Sequence, residues 1–332
     1  MDMLVSFRRT ALFAVVLCIV ALMSVATSLA TEQEQPKESF YSQMIRAVVR
    51  LEEHQSTCTP GREWAVEKDM PVGSAFFVRD RLPGEGDKEI NRFFIVTARH
   101  VVERRADLFA RVQVGPGTAE TAVLILPRSL WVFHPTPAPR DYLPIDVAVM
   151  QIPPTSFLKA FLHCAAENNP AGCGVDKATK NPFQNQVGEP PAAMDRAVFF
   201  GFPGGDVGTR AVDPFVRSGI VAYTAPNPDL RIDGRQIADD TVFLVDSPSF
   251  PGNSGGPLIR EQLPLAGGVH LWGLVTAGNM IGRDYAIVTS VKGIRETLLH
   301  AREKATLNRQ VWHKETPRLP LKCVPSPEKG PN

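Results

Sequence analysis

Short apolar runs rich in Val, Ile and Phe punctuate the chain from residue 40 to about 290. They are "VGSAFFV" (72–78), "FFIVTA" (93–98), "AVLIL" (122–126), "DVAVMQI" (146–152), "AVFFGF" (197–202), "VRSGIVAYT" (216–224), "TVFLV" (241–245), "LWGLVTA" (271–277) and "YAIVTSV" (285–291). Their length and their β-branched and aromatic content predict strands. Gly and Pro clusters such as "LPGEGD", "VGPGT", "HPTPAPRDYLP" and "APNPD" separate them and predict turns. Many short strands with turn chemistry between them predict an all-β sandwich or pair of barrels.

Two stretches depart from this rhythm. Residues 153–195 are rich in Pro, Asn and Ala, and read as a connecting segment between a first β subdomain (40–152) and a second one (196–308). In "VKGIRETLLHAREKATL" (291–307), Val291, Ile294, Leu298 and Ala301 recur at helical spacing, which predicts a packed C-terminal helix. A proline-rich tail (309–332) follows. There is no internal repeat, and "FPGGDVG" lacks the lysine that a nucleotide-binding loop requires.

The chain of 332 residues is 44% hydrophobic and 21% charged, as a folded globular protein is. Residues 1–30 read as an export signal: Arg8 and Arg9 precede "ALFAVVLCIVALMSVA", and "SLA" ending at Ala30 offers a cleavage site. Cleavage would leave a short N-terminal extension (31–39) and a secreted or periplasmic protein, whereas an uncleaved Ala11–Ala30 segment would be a membrane anchor. Without Arg8, Arg9 and Asp2 the basic and acidic residues balance, so nothing points to nucleic acid. Cys58, Cys164, Cys173 and Cys323 would then sit in an oxidising compartment, where disulfides are the expectation. Of the three possible connectivities, nearness in sequence favours Cys164 with Cys173, which leaves Cys58 for Cys323. A zinc site is the alternative, with no paired CxxC and only His163 near a cysteine to support it.

Candidate chemistry gathers in "SPSFPGNSGGPLI" (247–259), where Ser254 stands among three glycines and three prolines. "GNSGG" satisfies the GxSxG pattern of α/β-hydrolases, but Pro257 and Gly267-Gly268 disfavour the helix that such an elbow needs. His100, in "FFIVTARHVV", is placed at a strand end, where an imidazole serves as a general base near neutrality; a satisfied structural histidine is the plain alternative. Asp146 opens the apolar run "DVAVMQI", where a carboxylate is costly unless something pairs with it or it caps a turn. Asp141, in the proline-rich loop, is its rival. Asp246 reads as a turn cap. His54, His134, His163, His270, His300 and His313 have no evident partners.

The order His, Asp, Ser, with each residue at a strand edge, makes "VTARHVV", "DVAVMQI" and "PGNSGGPLI" resemble the three catalytic segments of chymotrypsin-fold serine peptidases, nearest to their exported HtrA-like branch. "GSAFFV", "FFGFPGG" and "SGIVAYT" resemble framework strands of that branch, so the likeness spans roughly residues 40–300. It implies an all-β fold of two six-stranded antiparallel barrels with a C-terminal helix, and a triad of His100, Asp146 and Ser254 between them. It further implies an oxyanion hole from the Gly252, Asn253 and Ser254 backbone, and no cofactor or metal. Asn253 stands where the trypsin branch has an aspartate that pairs with a newly cut N-terminus, so activation of that kind is not expected. Nor does the stretch after Ser254 leave room for the PDZ domain usual in HtrA proteases.

By the same analogy the substrate pocket is built from Pro248, Ser249, Thr276, Ala277 and Gly278, with the Tyr285-Ala286 region beside them. No acid lies at its base, so small or medium apolar side chains at the cut are expected rather than Lys or Arg. The expected partners are protein or peptide substrates, not nucleic acid or nucleotide, and a membrane only if residues 1–30 stay uncleaved. Two other functions fit the same residues: an inactive homologue that binds proteins, and an esterase using the same triad.

Overall fold

A computed structural model describes residues 45, 47–57, 66–82, 90–113, 121–136, 144–152, 191–203, 214–224, 231–232, 234–236, 241–261, 271–277 and 285–304. Segments 1–39 and 309–332, most of 153–195, the cysteines Cys58, Cys164, Cys173 and Cys323, Gly278, Asp141 and residues His163, His270 and His313 lie outside them.

The first half folds into strands β1 (Val48–Thr57), β2 (Val66–Leu82), β3 (Ile90–Thr97), β4 (Leu108–Gln113), β5 (Thr121–Leu126), β6 (Val132–Phe133) and β7 (Ala148–Ile152). They form one antiparallel, curled sheet in the order β5-β4-β1-β2-β3-β7-β6. The second half supplies β8 (Arg196–Gly201), β9 (Phe215–Thr224), a small hairpin of β10 (Arg231–Ile232) and β11 (Arg235–Gln236), then β12 (Val242–Asp246), β13 (Pro257–Arg260), β14 (Leu271–Ala277) and β15 (Tyr285–Ser290). Six of these close into a barrel, β12-β15-β14-β13-β8-β9. The expected second set of six strands is thus met by a closed barrel, while the first half counts seven because the two-residue β6 adds itself to β7.

Alternation explains how both halves share one core. Along β8, Ala197 and Phe199 fill the barrel interior with Val221, Phe243, Val245, Leu258, Trp272 and Val288. The intervening Val198 and Phe200 join the core of the first sheet. A strand covered on both faces reads as an unbroken apolar run, which "AVFFGF" is. The C-terminal helix α2 (Val291–Lys304, after the five-residue α1 described below) places Ile294, Leu298 and Ala301 in that same first core, and Val291 packs at its edge.

Strand β1 escaped the hydrophobic pattern because "VVRLEEHQST" interrupts its apolar residues with charges. Those charges are satisfied across strands. Glu52, 1% exposed, accepts from Arg50 Nε at 2.6 Å and from Arg111 Nε on β4 at 3.0 Å. Burying a carboxylate between two guanidinium groups removes most of the penalty that its sequence position suggests.

Helix α2 also grips β6. His134, just past β6, lies buried with its Nε2 2.8 Å from Glu296 Oε2, and its Nδ1 accepts from the Thr136 N–H at 3.2 Å. The acceptor role of Nδ1 puts the ring proton on Nε2, which donates to the carboxylate. Glu296→Ala will strand that buried N–H and lower stability by about 1 to 3 kcal/mol, read from the midpoint of urea unfolding.

Candidate active site

His100 is carried by a turn of helix rather than by a strand end. Strand β3 stops at Thr97, and α1 (Arg99–Glu103) begins at once, pinned by the buried side chains of Val101 and Val102. That leaves the His100 ring half exposed. The outer side of α1 is braced by Arg99, which bonds Glu103 one turn on, and by Arg128, whose Nη2 donates to the Glu103 carbonyl at 2.7 Å. Both guanidinium groups lie over the Phe133 ring, at 5.2 and 5.0 Å from its centroid. The Arg99 hydrogen bond holds the Glu103 carboxyl below its ordinary range against the opposing effect of burial, and the charges of Arg99, Arg104 and Arg128 add to it. A lowered carboxyl contributes stability above its ordinary pKa and loses it as acidification passes the lowered value.

Asp146 precedes β7 and uses both carboxylate oxygens on the same residue. Oδ1 accepts the His100 backbone N–H at 2.9 Å, and Oδ2 lies 2.6 Å from His100 Nδ1. An ionised carboxylate only accepts, so Nδ1 carries the ring proton and Nε2 is left with its lone pair outward. The Asp146 segment is itself held from behind. Val147 N–H donates to the Ile145 carbonyl at 3.0 Å, and Val147 receives the His134 N–H at 3.4 Å. Helix α2 packs Gly293 so close to Ile145 that a Cβ there would lie 2.7 Å from Ile145 Cγ2.

Ser254 rides on a chain of tight turns. Asn253 N–H donates to the Phe250 carbonyl at 3.0 Å, Gly256 N–H to the Asn253 carbonyl at 3.0 Å, and Gly255 N–H to the Val275 carbonyl at 2.7 Å. Gly252 and Gly255 take φ values of 96° and 89°, left-handed conformations open mainly to glycine. Two donors are left over in the turn: among the described residues neither Gly252 N–H nor Ser254 N–H has an acceptor. Asn253, expected beside them, is excluded from that pair because closing the turn uses its N–H. Ser254 Oγ makes one long contact, 3.4 Å to the Thr276 carbonyl.

Ser74 joins these pieces, and nothing in the sequence marked it beyond a small polar residue inside "VGSAFFV". It is wholly buried on β2. Its N–H donates to the Ser254 carbonyl at 2.8 Å, and its Oγ to the Gly252 carbonyl at 2.7 Å while accepting Phe202 N–H at 2.9 Å. Its own carbonyl accepts Thr97 Oγ1 at 2.7 Å, at the last residue of β3 before α1. The Ser254 turn is thereby seated against the residues that lead into His100. A Cβ on Gly255 would overlap both the Ser74 carbonyl oxygen and the Thr97 hydroxyl. Gly255→Ala will cost about 3 to 5 kcal/mol or prevent folding, as a thermal melt will report.

The remaining expected positions fall around this junction. Ser249 is buried, Pro248 and Asp246 are exposed, and Thr276 is buried with its Oγ1 donating to the Ile287 carbonyl at 3.2 Å. Ala277 ends β14, opposite Ile287. His54, His134 and His300 have found acidic partners in Asp69, Glu296 and Glu303.

Residues 73–267 match the model of the trypsin-like peptidase domain. No curated protein matches the sequence. Among solved structures, the HtrA-type protease AlgW, determined with a decapeptide, is 18% identical with a TM-score of 0.48, and the match covers 79% of this chain and 66% of that one. The MamO protease domain from Magnetospirillum magneticum is 17% identical with a TM-score of 0.43, over 77% of this chain and 97% of that one. A serine endoprotease from Yersinia pestis is 17% identical with a TM-score of 0.41, over 80% and 67%. The chain thus spans about two thirds of the length of the AlgW structure.

Proposed function

Because the chain belongs to the trypsin-like peptidase domain family, we propose that it is a serine endopeptidase working through His100, Asp146 and Ser254. The observation that carries this reading is the double engagement of His100 by Asp146, at backbone and ring, which fixes the tautomer a general base needs. His100 Nε2 takes the hydroxyl proton as Ser254 Oγ bonds to the substrate carbonyl carbon. The carbonyl electron pair moves onto oxygen, where Gly252 N–H and Ser254 N–H are free to receive it. Collapse of the tetrahedral species expels the amine, which collects the proton from His100 and leaves an acyl group on Ser254. Water, deprotonated by the same imidazole, releases the acid and restores the serine. None of these steps calls for a cofactor.

The long contact from Ser254 Oγ to the Thr276 carbonyl leaves the hydroxyl lightly held, so that turning toward the imidazole sacrifices little. The leader-like residues 1–30 support action outside the cytoplasm. Labelling the purified chain with a fluorophosphonate probe and locating the adduct by mass spectrometry tests the reading. An adduct on Ser254 is the expected result; a folded chain that stays unlabelled, or is labelled elsewhere, refutes it and leaves a protein-binding role for the fold.

A further inference from the structure

Among the described residues, two buried hydrogen-bond donors on the segments that lead toward the Ser254 turn, beside Asn253 Nδ2 in the turn itself, have no acceptor. Ser249 is 1% exposed, and its Oγ has no partner. Arg217 Nε is likewise buried and without a partner. Buried polar atoms in folded proteins are satisfied with few exceptions, and an exception asks for an explanation such as an absent ligand. Arg217 is the more demanding of the two. No carboxylate pairs with it among the described residues; its guanidinium instead lies over the Phe250 ring, 4.5 Å from the centroid.

The strand ladder explains why these groups are neighbours. Strands β9 and β12 pair antiparallel with Ile220 opposite Asp246. The pairing is prolonged beyond the strand end, because Ser247 Oγ donates to the Ser218 carbonyl at 3.1 Å and a Cβ on Gly219 would lie 2.7 Å from Ser247 Cβ. Following that direction brings Arg217 alongside the Pro248–Phe250 segment, which leads directly into the Gly252–Ser254 turn. Phe250 occupies one face of the guanidinium, so its edge N–H groups are left for an acceptor lying in the plane.

We propose that Arg217 and Ser249 are specificity-determining residues that make this peptidase cut after glutamate or aspartate. The inference rests on the serine-peptidase reading above and names the substrate class of that same site. Arginine keeps its charge at any physiological pH, and its planar fork suits a carboxylate. Ser249 Oγ supplies a neutral donor on the segment that runs alongside it. An apolar side chain at the cut would bury both donors unmatched, and a lysine or arginine would meet a like charge. The apolar preference expected from the lack of an acid at the pocket base is replaced by an acidic one, because the cation comes from a neighbouring strand.

Peptides identical except for Glu, Asp, Gln, Val or Lys before the scissile bond test this on the full-length chain, by kcat/KM. Glutamine has nearly the shape of glutamate without its charge, so the Glu to Gln ratio isolates the ionic contribution. The wild type is expected to prefer Glu over Gln by about tenfold or more. Arg217→Gln should bring that ratio close to one, and Ser249→Ala should lower it in part, with the near-UV circular dichroism of both variants confirming their fold. Cleavage after Val or Gln as fast as after Glu in the wild type overturns the proposal, and so does a ratio unmoved in both folded variants. Fluorophosphonate labelling separates the two levels. An adduct on Ser254 without selection for acid removes only the pocket assignment, whereas a folded wild type with no adduct removes the peptidase reading and this one with it.

Discussion

Ser254→Ala will lower kcat on a cleavable peptide by about 10⁶-fold, the scale of loss when a triad peptidase is deprived of its nucleophile. The magnitude follows from the division of labour at the junction. In the proposed mechanism the hydroxyl is the atom that bonds to the carbonyl carbon, and without it His100 would have only water to activate. The Gly252 and Ser254 N–H donors survive the change, so a small rate above the uncatalysed reaction will persist. The fold will survive as well, since Oγ contributes one hydrogen bond of 3.4 Å while the turn is held by the Ser254 carbonyl and its neighbours. Unfolding in urea and turnover should therefore separate cleanly. A variant that keeps more than about one per cent of wild-type kcat would assign the chemistry to another group.

Asp146→Asn will reduce kcat by about 10⁴-fold, with little effect on KM. The carboxylate accepts twice from His100, and an amide preserves that shape with only one accepting oxygen. If the oxygen keeps the backbone N–H, the amide nitrogen faces Nδ1 and donates to it. The ring proton is then driven to Nε2, the position that has to take the serine proton. The imidazolium formed during attack also loses its counter-charge. Raising the pH should not restore the rate, because the fault lies in the tautomer rather than in the extent of protonation. Recovery of wild-type kcat at alkaline pH would contradict this account.

How much of this was legible in the chain depends on what each residue interrupts. His100, Asp146 and Ser254 stand out because each breaks or bounds an apolar run, and a polar residue there calls for a reason. The helix from Val291 was legible through its spacing, although its contact with the Asp146 segment was not. The His134 and Glu296 partnership joins positions 162 residues apart, so no local pattern foretold it. Ser74 and Thr97 went unnoticed for the opposite reason, since small hydroxyl residues are unremarkable within strands and acquire meaning only from the carbonyls they meet. Charges on β1 argued against a strand when taken singly, because the compensating Arg111 arrives from β4. Arg217 was hidden in a run that read correctly as strand, with no hint that its guanidinium would lie over Phe250.

The bond from Ser74 Oγ to the Gly252 carbonyl closes a span of 178 residues. Contacts so distant in sequence form only after the intervening chain has been gathered in, and their loop entropy must be met by the rest of the fold. The turn that shapes Ser254 and the strand that leads to His100 therefore come into register late. If His100, Asp146 and Ser254 act as proposed, a chain still emerging from synthesis, or held extended, carries all three without the geometry that makes a nucleophile. On the proposed reading, the timing of activity is written into the topology: the nucleophile is shaped only once the Ser74 strand and the Gly252–Ser254 turn have met.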